Sequence, residues 1–65
     1  MVEKIGMDAG KVWSILDEEG RLTEPVLKKA VNLTFKDLYA ALGWLAREEK
    51  IVLEKEGKDI YVSLS

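Results

Sequence analysis

The hydroxyls of Ser14, Thr23, Thr34, Ser63 and Ser65 are this chain's candidate nucleophiles, and it has no histidine to activate them. Neighbouring carboxylates occur at Asp17-Glu18-Glu19 and at Glu48-Glu49. Both runs fall at expected helix ends, where water keeps a carboxyl ionised and unsuited to general acid work. Without cysteine or histidine, the usual zinc and copper ligands are missing. No loop alternates Asp and Asn around a glycine as a calcium site does. Gly6 and Gly10 lie within a helical pattern rather than after a strand, so they make no phosphate loop. These residues predict a non-enzymatic protein with no metal and no cofactor.

Charge offers more. The net charge is −2, from 10 basic and 12 acidic side chains. Residues 1–20 carry −3, residues 21–33 carry +2, residues 34–49 carry −1, and residues 50–65 balance. A nucleic-acid-binding domain is expected to show a basic stripe. The candidates here are Lys28, Lys29, Lys36, Arg47, Lys55 and Lys58, with Glu24, Asp37, Glu54, Glu56 and Asp59 interleaved among them. One reading is a basic edge facing phosphates. The other is a solvated surface whose charges pair with each other.

The elements that position these residues follow from hydrophobic spacing. Ile5, Ala9, Val12, Trp13 and Leu16 recur at helical intervals and predict a helix over residues 4–19, with Val2 extending the apolar face. Gly20 suits the left-handed position that closes it. Gly6 and Gly10 cost this helix about 1 kcal/mol each relative to alanine, and close packing against Trp44 or the hairpin is the expected reason, with a notch for another chain as the alternative. Arg21-Leu22-Thr23 reads as a short extended segment. Thr23 and Pro25 then open a two-turn helix with Leu27, Ala30 and Val31 inward. Asn32-Leu33 is the turn, with Leu33 as its plug. Thr34 to Asp37 resembles a capping box and starts a helix running to about Glu49, with Leu38, Ala41, Leu42, Leu45 and Ala46 inward. Residues 51–55 and 60–64 alternate as strands around the turn Glu56-Gly57-Lys58-Asp59. Ile51, Leu53, Val62 and Leu64 are expected to face the helices, and Tyr61 the other side.

Residues 1–65 therefore read as one α+β domain: helix, short strand, helix, helix, then a two-stranded hairpin. A chain this short buries only about 60% of its unfolded surface, so a large enclosed pocket is not expected. No apolar run approaches the ~18 residues a bilayer requires. The N-terminus lacks a signal pattern, and a cytoplasmic location is expected.

Three stretches carry a family resemblance: Gly10 to Leu16, Leu27 to Ala30 and Asp37 to Glu48, above all Leu42-Gly-Trp-Leu-Ala-Arg47. The chain resembles the winged helix-turn-helix superfamily along its full length. More narrowly, it resembles a family of very small stand-alone bacterial and archaeal winged-helix proteins of unassigned function. The resemblance implies that the third helix is a recognition helix, with Lys36, Tyr39, Ala40 and Gly43 facing a DNA groove. It makes Lys55 and Lys58 the contacts of the wing. Double-stranded DNA is one expected partner. Helical projection puts Lys36, Ala40, Gly43 and Arg47 on the outward arc, flanked by Tyr39 and Trp44. No Asn or Gln stands on that helix to read bases. The alternative is a protein-interaction or homodimerisation module in which Ala40, Gly43, Trp44 and Arg47 form a flat interface. For Trp44, packing over the hairpin as part of the core is the competing expectation.

Overall fold

The computed structural model describes residues 2–65. The chain runs α1 (Val2–Glu19), β1 (Leu22–Thr23), α2 (Glu24–Val31), α3 (Phe35–Arg47), β2 (Ile51–Glu56) and β3 (Asp59–Leu64). This is the expected order, with α1 beginning at Val2 rather than at residue 4. Each helix ends where its local chemistry says it must. Gly20, at φ 82°, closes α1 by donating its N–H to the Leu16 carbonyl. Asn32 takes the left-handed conformation after α2, where the Asn32 and Leu33 amides reach back to Lys29 and Lys28. Glu49 does the same after α3, where the Glu49 and Lys50 amides reach Ala46 and Leu45. Both are Schellman endings, built without glycine. Thr34 caps α3, its Oγ1 accepting from the Asp37 amide at 3.2 Å. Thr23 occupies the cap position of α2 without a side-chain hydrogen bond. Pro25 still suits that first turn, because no donor is needed there.

The strands form one antiparallel sheet in the order β1-β3-β2. Leu22 and Leu53 flank Val62 on opposite sides, and Ile51 faces Leu64. The short segment before α2 is thus the third strand of the wing. One core joins all layers: Ala9, Val12 and Leu16 from α1, Leu27 and Val31 from α2, Leu38, Ala41, Leu42 and Leu45 from α3, and Ile51 and Val62 from the sheet. Leu33 packs against it half-buried.

Five residues expected to face inward do not. Val2, Trp13, Ala30, Ala46 and Leu53 are exposed. Trp13 and Ala46 sit on the shoulders of their helices, one residue round from the buried Val12 and Leu45. On two-turn α2, Leu27 and Val31 already fill the core-facing side. Leu53 pairs with the fully buried Val62 but stands on β2, at the edge of the sheet, and is 47% exposed. The glycines of α1 also depart from expectation. A Cβ built at Gly6 or Gly10 meets no atom within 4 Å, so neither is held by close packing inside this chain.

Candidate nucleic-acid interface

α3 turns its buried leucines toward α1 and the sheet, which leaves Lys36, Gly43 and Arg47 exposed on the opposite arc. Ala40 is half-buried and lines a recess of about 220 Å³ with Lys4, Ile5, Asp8, Lys36 and Asp37. A Cβ at Gly43 would meet nothing within 4 Å, so this part of the arc is flat and open. Tyr39 is exposed and stacks on Phe35 of its own helix, with ring centroids 5.6 Å apart. Lys28 of α2 lies with its Nζ 5.0 Å from the Phe35 ring centre. The three side chains form one strip across both helices of the helix-turn-helix, with cation and π-face in contact. Phe35 was not among the expected contacts, although its spacing one turn before Tyr39 was a usable signal. Lys29, Lys55 and Lys58 are exposed, the last two on the wing around Gly57 at φ 63°.

Charge pairing falls on two cations outside this edge. Among the described residues, every ion pair uses one of two cations, Lys4 or Arg21. Lys4 bridges Asp8 at 2.6 Å and Asp37 at 3.2 Å, and so ties α1 to the first turn of α3. Asp8 is buried to 4% exposure, and its carboxylate draws its charge partner from this one lysine. The Asp8 and Asp37 carboxylates accept hydrogen bonds from Lys4, which raises the ammonium's pKa above 10.5, its ordinary value. Arg21 lies 3.7 Å from Glu54, hydrogen-bonds Glu56, and stacks 4.0 Å from the centre of the Tyr61 ring. Three of the interleaved acids are therefore held by cations outside the proposed edge. Lys28, Lys29, Lys36, Arg47, Lys55 and Lys58 make no ion pair among the described residues. Lys4 and Asp8 advertised themselves by their spacing of four. Arg21 had no local signal, because strand pairing alone brings it to the wing.

Trp44 is 38% exposed and does not complete the core. It lines a groove of about 360 Å³ with Gly6, Gly10, Trp13 and Lys50, and a recess of about 280 Å³ with Arg47 and Glu48. Among the described residues, no cluster of acids is able to hold a metal ion. Among the same residues, no helix is long and apolar enough to cross a membrane.

A family model described as a winged helix-turn-helix domain (DUF2582) matches residues 1–64. The solution NMR structure of protein BT2368 from Bacteroides thetaiotaomicron superposes with a TM-score of 0.87 at 39% identity. That alignment covers 95% of this chain and 76% of the other. Comparison with curated proteins gives no match.

Proposed function

We propose that this chain, which belongs to the winged helix-turn-helix domain family DUF2582, is a DNA-binding module that holds duplex DNA mainly by its phosphates. α3 is the element that enters the major groove. The observation that carries this reading is the sorting of charge: Lys4 and Arg21 hold Asp37, Glu54 and Glu56, while six cations on α2, α3 and the wing have no ion pair among the described residues. Unpaired, exposed cations bind phosphate and release its counterions. A cation held by a carboxylate contributes little of that.

The same surface explains why base reading is sparse. Lys36 and Arg47 are the only donors of the guanine-reading type on the outward arc, nearly three turns apart. Ala40 and Gly43 between them let the helix lie close to base edges. Tyr39 is placed to touch a phosphate or a thymine methyl group. The module thus binds with modest sequence preference and strong salt dependence. The experiment is a titration of a random duplex into the protein at 50 mM salt and upward. Binding that weakens steeply with salt is expected. No binding at the lowest salt overturns the reading. Charge reversal at Lys28 and Lys29 should weaken binding and leave the far-UV circular dichroism unchanged.

A further inference from the structure

The face of α1 turned away from the core carries apolar side chains among Glu3, Lys11, Ser14 and Asp17, all exposed within one chain. Val2, Met7 and Trp13 are exposed along it, and Trp44 of α3 borders it across the groove. Met7 is 68% exposed and Trp13 39%. Gly6 and Gly10 run between these side chains, with open space where a Cβ would stand. Glycine inside a helix lowers its stability, and here no contact within the chain offsets that cost. What glycine provides is a low ridge on which a second backbone can lie closer than the usual 8–10 Å between helix axes.

We propose that this face is a homodimer interface in which α1 of one copy packs antiparallel on α1 of a second copy about a two-fold axis at Met7. Two observations select a second copy as the occupant. The first is charge. Antiparallel helices crossing at Met7 set position 3 of each copy opposite position 11 of the other. Glu3 and Lys11 are both exposed, and neither has an ion-pair partner among the described residues. Within one helix they are eight positions apart and cannot meet. Across the axis they pair twice, as an isologous contact requires. The second is area. Val2, Met7, Trp13 and Trp44 keep 64%, 68%, 39% and 38% of their surface in solvent. An ordinary interface buries about 800 Å² per partner, a little over half of it apolar. The same crossing brings Val2 of the second copy toward the Trp13–Trp44 groove. This arrangement uses none of the six unpaired cations of the proposed DNA edge, so either proposal can fail without the other.

Sedimentation across a concentration series tests it, followed in parallel by tryptophan emission. Both tryptophans of the chain lie on this face. A monomer–dimer equilibrium with a blue shift of emission as dimer forms is expected. Met7→Glu, at a side chain the fold leaves in solvent, should raise the dissociation constant by at least about tenfold. Lys11→Glu should weaken the dimer in the same way, and the double exchange Glu3→Lys with Lys11→Glu should restore it. A strictly monomeric protein at about 1 mM overturns the proposal. So does a dimer that neither single variant weakens, or a double exchange that restores nothing, since either means a different face or a different partner.

Discussion

Glu49 sits at φ 58°, a backbone region that favours glycine, and it does so to complete the ending of α3. A side chain in that conformation costs about 1–2 kcal/mol. The Ser65 hydroxyl donates to the Glu49 carbonyl at 2.7 Å, and the Ser65 amide donates to Lys50 at 3.1 Å, so the site is pinned from the C-terminal end. Glu49→Gly should therefore stabilise the protein by about 1 kcal/mol, read as a rise in melting temperature of about 4–8 °C. No rise would mean the glutamate makes a compensating contact. Lys4 is the residue-scale counterpart in electrostatics. Its pKa is raised because the Asp8 and Asp37 carboxylates favour the charged form. That contribution is complete below 10.5, the ordinary lysine value, and is lost as pH climbs through the higher folded value. The natural protein should thus outlast Lys4→Met in urea at neutral pH, and the gap should close only in strong alkali. A gap that closes near pH 7 would assign the effect to another group.

At the scale of elements, α1 is built below its own optimum. Gly6→Ala and Gly10→Ala each place a methyl group in open space. Each should therefore stabilise the monomer by up to about 1 kcal/mol, measured by urea unfolding at low concentration. Leu42→Ala on α3 should act in the opposite sense, losing about 2–5 kcal/mol, because Leu42 is buried in the core that α1, α2, α3 and the sheet share. The contrast explains what could be read from the sequence. Ala9, Val12 and Leu16, like Leu38, Ala41, Leu42 and Leu45, announce their helices because burial at intervals of three and four residues is a local property. The ends at Gly20 and Thr34 are legible for the same reason. Trp13, Ala30, Ala46 and Leu53 were misjudged because periodicity marks the centre of an apolar stripe and not its width. Width depends on which neighbours cover the shoulder, and that is decided by tertiary packing. The charge sorting was hidden for a related cause. Lys4 meets Asp37 across 33 positions and Arg21 meets Glu56 across 35, and only the folded chain sets those distances.

At the scale of the whole molecule, a net charge of −2 hides an uneven distribution. Six of the eight cations without an ion pair among the described residues lie on α2, α3 and the wing, while five of the twelve acids belong to the run from Glu3 to Glu19. An acidic protein can bind a polyanion when its acids are kept off the binding edge, and here Lys4 and Arg21 do part of that keeping. The arithmetic is testable. If all six cations meet phosphates, log K should fall with log salt with a slope of about −5. Removing Lys28 and Lys29 together should make that slope shallower by about 2, since each contributes a phosphate contact. Arg21→Ala should behave differently. Arg21 lies outside the six, but its loss frees Glu54 and Glu56 beside Lys55 and Lys58. Affinity for duplex should then drop at low salt, and the drop should shrink as salt screens the freed carboxylates. A loss equal at all salt concentrations would instead mean that Arg21 supports the wing through its stack on Tyr61, and that acid-keeping is not its role.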